Sequence, residues 1–417
     1  MKTVVLDDDP TGTQSASNVR VLLVSNAELL EEALRDAPSV YVQTNTRAVD
    51  EPSAIALVRQ VRVDALEAGR RLGEDVQFVL RGDSTLRGHV FAETEQFLED
   101  ENDLMIFVPA FPAGGRTTRD GVHYVRTGDQ DLPAHETEYA QDPVFPFASG
   151  VLTEFVAEKS TRSALPIPLD VVRGDAAALA SLLVDAGPRT VAVPDAVTSD
   201  DIRLVADAIR TARSKGRAVI VRAAAPLAAV LAEVESDGLL NTPLLDAPAR
   251  TLLACGSHTG GASAQLERVA AQWGSPVVLD TEAALSDPAA AGHAASSAAG
   301  ATTLDRPIVV TTSRERSSSH NTLDHGERVM RALTTAVRDL LPTVDVVIAK
   351  GGITSAEVAR VGIGATSAVV VGQVLPGVSV WRMNAIDGRE ILYVVVPGNV
   401  GDPGTLVDVL AAVGHAS

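Results

Sequence analysis

Three short stretches of the chain combine small residues with oxygen or nitrogen ligands, and each directly follows an apolar run typical of a strand. They are Asp7–Gly12, Arg81–Gly88 and Lys350–Ser355. The first places three carboxylates on a turn, the second places arginines around an acid and two hydroxyls, and the third is a glycine turn. Because ligands of open α/β sheets bind beyond the carboxyl ends of the strands, these stretches indicate an enzyme that handles a small anion, most simply a phosphorylated one.

The acidic turn contains Asp7, Asp8 and Asp9, followed by Pro10 and Gly12. Carboxylates at such a position can hold Mg²⁺ or accept hydrogen bonds from substrate hydroxyls. A solvated acidic turn without a ligand is the structural alternative, and the sequence alone leaves both open.

The second stretch places Arg81 and Arg87 around Asp83. A guanidinium group pairs with carboxylates and phosphates through its planar fork, so the two arginines are candidates for binding an anion. Asp83 could accept the proton of a substrate hydroxyl, which is the role of a base in phosphoryl transfer. A loop held only by internal salt bridges is the alternative.

Glycine turns mark the second half of the chain, at Cys255–Gly261, Lys350–Ser355 and Pro397–Asp402. Each follows a predicted strand, and backbone N–H groups at such turns can face an anion. The residues from Thr354 to Glu357 have the spacing of a capping box, which predicts a helix that opens there. The chain contains no P-loop, dinucleotide fingerprint or protein-kinase signature.

The elements that position these stretches are predicted to form a parallel α/β fold. Short β-branched runs alternate with amphipathic helical stretches, and the chain is 46% apolar and only 3% aromatic. At 417 residues it is too long for one ordinary core. The proline-rich stretch from Asn241 to Pro248 is the best boundary, which predicts domains at residues 1–240 and 248–417. The Ala/Gly-rich segment 283–301 could be a helix or a mobile connection.

Charge and cysteine content narrow the class of protein. A net charge of -19 disfavours nucleic acid and anionic membranes as partners. Apolar runs do not reach the length of a membrane span, and Asp7 comes too early for a signal peptide. The single cysteine, Cys255, excludes an internal disulfide and a zinc cluster. We therefore expect a soluble, cytoplasmic protein.

Eight short motifs occur in an order that resembles the four-carbon acid sugar kinases. They are Asp8–Gly12, Thr46-Arg47, Asp83–Gly88, Pro109–Arg116, Gly256-Ser257, Gly351–Ser355, Pro376–Val378 and Gly398–Gly401. The resemblance spans nearly the whole chain. It implies two Rossmann-like three-layer domains with mostly parallel sheets, the first binding a sugar acid and the second ATP. It also implies ATP-dependent phosphorylation of the terminal hydroxyl of a tetronate-like acid, with Mg²⁺.

The resemblance also implies two sets of site residues. The sugar-acid set is Asp8, Asp9, Arg47, Arg81, Asp83, Ser84 and Arg87. The nucleotide set is Ser257, Gly351, Gly352, Ile353, Thr354, Gly398 and Gly401. Asp83 and Asp8 are the candidates for the catalytic base, and Arg47, Arg81 or Arg87 would clamp the substrate carboxylate. Asp8, Asp9 and Asp402 are open as metal ligands.

Several choices stay open. Arg81 stands where the family often has lysine, Thr13-Gln14 follows Gly12, and Ile353 replaces an acid, so the identity of the acid is open. One alternative is another enzyme, such as a dehydrogenase or isomerase, acting on a phosphorylated sugar acid. A second is a non-catalytic sugar-acid sensor. A homodimer is compatible with the sequence but not required by it.

Overall fold

The computed structural model of the chain describes residues 1–236, 238–300, 303–313, 323–398 and 400–415. The strands, in chain order, are β1 Lys2–Asp7, β2 Val19–Leu22, β3 Ser39–Gln43, β4 Val76–Arg81, β5 Leu104–Val108, β6 Arg116–Arg119, β7 Val122–Thr127, β8 Gln130–Pro133, β9 Ser163–Ile167, β10 Thr190–Pro194, β11 Val219–Ala223, β12 Thr251–Cys255, β13 Val277–Leu279, β14 Ile308–Thr312, β15 Val346–Lys350, β16 Ser367–Leu375, β17 Val378–Asn384 and β18 Glu390–Val396.

The helices follow the same chain order. They are α1 Ala27–Arg35, α2 Glu51–Leu72, α3 Val90–Thr94, α4 Leu152–Lys159, α5 Leu169–Val172, α6 Ala176–Val184, α7 Ser199–Ser214, α8 Ala225–Ala232, α9 Gly260–Trp273, α10 Thr281–Ser286, α11 Pro288–Ala299, α12 Leu323–Leu340, α13 Gly352–Glu357 and α14 Thr405–Ala412. Within the described residues, none of these helices is both long enough and apolar enough to cross a membrane.

The chain divides into two compact units. The N-terminal unit contains Met1–Asp8 and Ser25–Glu235, and the C-terminal unit contains Asp9–Val24 and Ser236–Ser417. The short segment Asp9–Val24 therefore groups with the second half of the chain rather than with the residues that flank it.

The N-terminal unit is built on a parallel sheet with the strand order β3-β1-β4-β11-β5-β10-β9. Buried residues dominate its central strands, as expected where helices cover both faces of a parallel sheet. Strand β1 lies between β3 and β4, so the chain leaves it first to one side and then crosses to the other. The carboxyl end of β1 is therefore a topological switch point, where open α/β sheets bind ligands.

Local sequence explains the long helix α2, which makes that crossover. Asp50 caps its start by accepting a hydrogen bond from the backbone N–H of Ser53, and Pro52 lies in its first turn. Gly73 ends it in the left-handed conformation, with a φ of 69°. A small antiparallel sheet, β6-β7-β8, and an aromatic cluster around Phe91, Phe107 and Phe155 complete this unit.

The C-terminal unit has the strand order β13-β14-β12-β15-β18-β17-β16-β2. Its first five strands pair in parallel and the last three join them in antiparallel pairings. The segment Asp9–Val24 is held to this unit by buried contacts. The indole N–H of Trp381 donates to Thr13 Oγ at 3.0 Å, and Thr13 Oγ lies 3.1 Å from Ser379 Oγ.

The predicted α/β class with mostly parallel sheets is confirmed, and several local expectations need correction. The capping box at Thr354 is wrong: α13 begins at Gly352, its N-cap is Gly351, and no side chain caps it. Gly351, with a φ of 116°, makes the turn from strand to helix. The segment 283–301 forms α10 and α11 up to Ala299, and residue 301 lies outside the described residues.

Candidate active site

Charged side chains meet at the carboxyl ends of neighbouring strands in the N-terminal unit. We call them the arginine–carboxylate cluster: Asp7, Asp8, Arg47, Arg81, Asp83, Arg87, Glu93 and Arg222. Asp8 follows β1, and its carboxylate lies 3.3 Å from Arg81 Nη1 and 3.1 Å from Arg222 Nη2. Arg81 Nη1 also donates to Asp7 at 3.0 Å. The strand order places these groups together, because β1, β4 and β11 are adjacent.

Asp83 occupies the loop after β4 and is held from three sides. Arg87 Nε donates to its Oδ2 at 2.7 Å, the Thr85 hydroxyl donates to the same oxygen, and Arg47 Nη1 lies 3.7 Å from it. Arg47 Nε is also 3.6 Å from Asp8, so this one arginine links the two acids. Since these contacts all fall on Oδ2, the Oδ1 of Asp83 has no hydrogen-bond partner among the described residues and can accept a further hydrogen bond.

Burial and neighbouring charge shift the pKa values of two acids of the cluster in opposite directions. Burial raises the pKa of Asp7 to about 7, although Arg81 acts to lower it. Burial also acts to raise the pKa of Asp83, but Arg87 and Arg47 outweigh it and hold that pKa well below its usual range. Asp83 is therefore an ionised hydrogen-bond acceptor at neutral pH, whereas Asp7 titrates near neutrality.

Arg222 and Glu93 belong to this cluster but are missing from the sequence prediction. Arg222 is 1% exposed, and its Nη1 donates to Glu93. Gly82 makes room for it, because a Cβ at that position would lie 2.5 Å from Arg222 Nε. The one signal in the sequence is an arginine at the end of an apolar strand, which indicates a buried charge with a partner.

Ser84 is supported by a second residue that the sequence prediction missed. His123 Nε2 lies 2.8 Å from the Ser84 carbonyl oxygen and its Nδ1 lies 3.0 Å from Thr118 Oγ. The carbonyl can only accept, so Nε2 carries the proton. Burial lowers the pKa of His123 to about 4, which keeps the ring neutral.

Two residues of the site loops adopt a backbone conformation that L-amino acids rarely use. Asn45, two residues before Arg47, has a φ of 51°, and Leu86, one residue before Arg87, has a φ of 67°. Leu86 is buried, which holds it in place. Asparagine tolerates this conformation, whereas leucine is strained in it, and such strain persists where the surroundings fix it, most often at functional sites.

The glycine turns of the C-terminal unit also converge, at the ends of β12, β15 and β18, which are adjacent in the sheet. A Cβ at Gly398 would lie 2.9 Å from Ser257 Oγ, and one at Gly351 would lie 3.2 Å from Ser257 Cβ. Thr259 Oγ donates to the Gly398 carbonyl at 2.8 Å. We call these residues, from 256–259, 350–354 and 397–401, the glycine-turn cluster; Asn399 lies outside the described residues.

The other predicted nucleotide residues lie in or beside the same cluster. Thr354 is 3% exposed and Ile353 is 43% exposed. Gly352 is the first residue of α13, and Gly401 has a φ of 91°. The structure thus brings together the predicted residues from three distant parts of the chain.

Lys350 holds two of these turns together and is missing from the predicted site. It is fully buried, and its Nζ donates to the carbonyls of Pro397 at 2.8 Å and Val400 at 3.2 Å. Burial lowers its pKa to about 8. The amine therefore fixes the turn after β18 to the end of β15.

Asp9 and Asp402, two candidate metal ligands from the sequence, both serve the C-terminal unit. The Asp9 carboxylate caps the 3-10 helix Pro10–Ser15 by accepting from the Thr11 N–H at 2.8 Å. Asp402 Oδ1 accepts from the Gly404 N–H at 2.7 Å and from the Thr405 hydroxyl at 3.4 Å. Within the described residues, Asp402 Oδ2 has no such partner.

Comparison with known proteins gives both units a match. A family model of a sugar-binding N-terminal domain matches residues 3–231, and a family model of a nucleotide-binding C-terminal domain matches residues 252–406. The chain belongs to the four-carbon acid sugar kinase family. The resemblance stated from the eight motifs is thereby confirmed.

Curated relatives in this family carry kinase names. A D-threonate kinase of Bordetella bronchiseptica is 33% identical over 231 residues, which is 54% of this chain and 51% of that protein. A D-threonate kinase of Salmonella typhimurium is 30% identical over 214 residues, 50% of this chain and 48% of that protein. A D-erythronate kinase of Heliobacterium modesticaldum is 30% identical over 218 residues, 49% of this chain and 47% of that protein. The chain spans about half the length of the curated relatives it matches.

Solved structures share the fold. A crystal structure of a provisionally named tRNA synthase from Salmonella typhimurium LT2 has a TM-score of 0.71 at 18% identity, covering 98% of each chain. A Haemophilus influenzae protein has a TM-score of 0.62, also at 18% identity and 98% coverage of each chain. At this identity the likeness is one of architecture alone.

Proposed function

We propose that this protein is an ATP-dependent kinase that phosphorylates the terminal hydroxyl of a four-carbon sugar acid. The proposal rests on one observation: each of the two clusters lies in the unit whose matched domain suits its chemistry. The arginine–carboxylate cluster lies in the unit that matches the sugar-binding domain, and the glycine-turn cluster lies in the unit that matches the nucleotide-binding domain. The relatives named D-threonate kinase and D-erythronate kinase support the class of acid.

In this proposal, the domains run over residues 1–240 and 248–417, and the first domain binds the sugar acid through Asp8, Arg47, Asp83, Ser84 and Arg87. Asp83 is the better candidate for contact with the reacting hydroxyl, because both oxygens of Asp8 are held by arginines. Phosphoryl transfer passes through a loose transition state, so an ionised carboxylate that orients the hydroxyl suffices as its proton acceptor.

The second domain binds ATP in the proposal. The turns around Ser257, Gly351 and Gly398 approach one another so closely that a Cβ added at Gly351 or Gly398 would crowd Ser257, at 3.2 and 2.9 Å. Their backbone N–H groups are then able to reach phosphate oxygens. Gly352, Ile353, Thr354 and Gly401 complete the proposed set.

We propose Mg²⁺ as the metal and Asp402 as its protein ligand. Magnesium takes oxygen ligands, and in kinases it is bound mainly by substrate phosphates with one or two carboxylates. Asp402 fits because it directly follows the glycine-turn cluster and its Oδ2 accepts no hydrogen bond from the described residues, whereas Asp8 does not fit because arginines contact both of its oxygens. The ion, when bound, neutralises phosphate charge. This assignment is tested by measuring how ATP binding depends on Mg²⁺ in Asp402→Asn and in wild type.

Four finer points belong to the same proposal. They are the Rossmann-like, three-layer character of both domains, a homodimer, the cytoplasmic location, and the absence of nucleic acid as a partner. The net charge of -19 supports the last of these by electrostatic repulsion.

The test is ADP formation from ATP and Mg²⁺ in the presence of D-threonate, D-erythronate and their 3-oxo relatives, with an acid-free control. We expect turnover that depends on one acid. ATP and acid binding without ADP formation would instead support the sugar-acid sensor, and binding of a nicotinamide cofactor would support the dehydrogenase.

A further inference from the structure

Four arginines in the described part of the N-terminal unit have buried side chains: Arg81, Arg116, Arg162 and Arg222, which are 1–7% exposed. Three of them meet a carboxylate. Arg81 and Arg222 contact Asp8, and Arg162 contacts Glu95 at 2.6 Å. Among the described residues, Arg116 has no carboxylate oxygen within 4.0 Å. Within the part of the chain that the structure describes, it is therefore a buried cation without a directly paired carboxylate.

The hydrogen bonds of Arg116 do not make up for the missing partner. Its Nη1 donates to the Gly114 carbonyl, and its Nε is buried without a hydrogen-bond partner in the described part of the chain. Arg213 shows the usual solution for an arginine without a carboxylate. Its guanidinium donates to Gln77 Oε1 at 2.6 Å and to the Val219 carbonyl at 2.8 Å. A charge without a counter-charge at a largely buried position is costly, and an anionic ligand would offset that cost.

Arg116 lies beside the arginine–carboxylate cluster. It begins β6, where Thr118 shares its face of the strand and contacts His123, which in turn supports Ser84. Burial lowers the pKa of His123 and raises that of Tyr139, and the nearby charge of Arg116 acts to lower both pKa values. The guanidinium of Arg87 lies over the Tyr139 ring, 5.0 Å from its centroid. The unpaired cation therefore belongs to the same site as Asp83 and Ser84.

The arginines expected from the sequence to clamp a substrate carboxylate are already engaged. Arg81 and Arg87 pair with Asp8 and Asp83, and Arg47 lies between those two acids. Their charge is offset by these acids, whereas Arg116 pairs with no carboxylate among the described residues. We propose that Arg116 binds the carboxylate group of the sugar acid and so makes the enzyme specific for acids over uncharged sugars. This inference rests on the proposed function.

The test compares Arg116→Gln with Arg119→Gln. Arg119 is at the other end of β6, is 44% exposed at its side chain, and pairs with Asp131 at 3.6 Å. Binding is measured by calorimetry, without turnover, using D-threonate and D-erythronate and the uncharged amide of each acid. We expect Arg116→Gln to lose about 10–100-fold in affinity for the acid, the range for a hydrogen bond to a charged group, and to bind the amide as wild type does. Arg119→Gln should match wild type for both ligands.

A stability measurement separates binding from a structural role. Loss of an uncompensated buried charge should leave the melting temperature of ligand-free Arg116→Gln equal to or above that of wild type. Arg116→Lys, which keeps the charge without the planar fork, should recover part of the acid affinity. Acid affinity within threefold of wild type in Arg116→Gln, or an equal loss for acid and amide, would overturn the inference alone. A wild-type protein that binds ATP but neither acid would overturn the proposed substrate class, and the inference with it.

Discussion

Asp7 and Asp83 are two acids of one buried cluster whose pKa values move apart. Asp7 is fully buried and its pKa rises to about 7, while Arg87, Arg47 and the Thr85 hydroxyl keep Asp83 ionised. Groups whose surroundings separate their pKa values in this way take different roles in a site. At the residue scale, we assign substrate contact to Asp83 and a support role to Asp7.

Replacement of Asp83 by asparagine tests the first assignment. We expect kcat to fall by at least about 10³-fold, because the neutral amide neither accepts the proton nor balances Arg47 and Arg87. ATP affinity should stay within about twofold, since the glycine-turn cluster lies in the other unit. Steady-state rates and ATP titration measure both, with Asp131→Asn, a partly exposed acid, as the control. Weaker ATP binding at an unchanged rate would contradict the role.

Asp7→Asn tests the second assignment through pH. The folded-state pKa of Asp7, about 7, lies above its unfolded value near 4, so its stabilising effect is present at low pH and is lost as pH rises towards 7. Asparagine mimics the protonated acid and still accepts from Arg81. We therefore expect the variant to match wild type at pH 4 and to be more stable by about 1 kcal/mol or more at pH 8. Denaturant unfolding at both pH values measures this; a variant that is less stable at pH 8 would refute it.

At the element scale, the turns after β12, β15 and β18 determine the glycine-turn cluster. Each turn is short, and neighbouring turns touch because their strands are adjacent and parallel. Lys350 and Thr259 tie the turn after β18 to the other two. The geometry of the proposed ATP site thus depends on close backbone approach and on a few hydrogen bonds to carbonyls.

Gly398→Ala should weaken ATP binding by about 10-fold or more. The added Cβ would lie 2.9 Å from Ser257 Oγ, so the Ser257 side chain must rotate away or the turn must shift, and either change alters the proposed phosphate contacts. Gly326→Ala is the matched control, because it lies in α12, outside the glycine turns, and a Cβ there would meet nothing within 4 Å. ATP titration of the two variants makes the comparison. Equal affinities would mean that the turn does not contact the nucleotide.

Lys350→Met should also weaken ATP binding, by about 3–30-fold, since it removes the donor to the Pro397 carbonyl and one of two donors to the Val400 carbonyl, the other being Gln265 Nε2 at 3.2 Å. Affinity for the sugar acid should not change. Lys215→Met, at an exposed lysine of the N-terminal unit, provides the control. Titration with each ligand separately gives the result, and unchanged ATP affinity with a normal melting temperature would remove Lys350 from the site.

Residues that follow a strand directly were predictable from sequence, whereas their partners from distant strands were not. Asp8, Asp83 and the glycine turns could be found because strand ends carry ligands in this class of fold. Arg222 could not, because it meets Asp8 only through the pairing of β11 with β4, which no local pattern encodes. The antiparallel β16-β17 pair and the start of α13 were missed for a related reason: the Pro376-Gly377 turn and Gly351 set the chain direction there.

At the scale of the whole molecule, each unit carries one cluster, and each cluster has its own chemistry. The N-terminal unit gathers guanidinium and carboxylate groups, which suit a hydroxylated acid, and the C-terminal unit gathers glycine turns, which suit phosphates. The family match gives the same division. In the proposed reaction, the two domains together transfer a phosphoryl group to the terminal hydroxyl of the acid.

Phosphorus NMR of the product tests whether the phosphoryl group is transferred to the terminal hydroxyl. The protein is incubated with ATP, Mg²⁺ and either D-threonate or D-erythronate, and the proton-coupled ³¹P spectrum is recorded. A phosphate ester on the terminal CH₂ group couples to two protons, so we predict a new triplet together with stoichiometric ADP. A doublet would show an ester on a secondary carbon and would contradict transfer to the terminal hydroxyl. Free inorganic phosphate as the only new signal would contradict the kinase reaction itself.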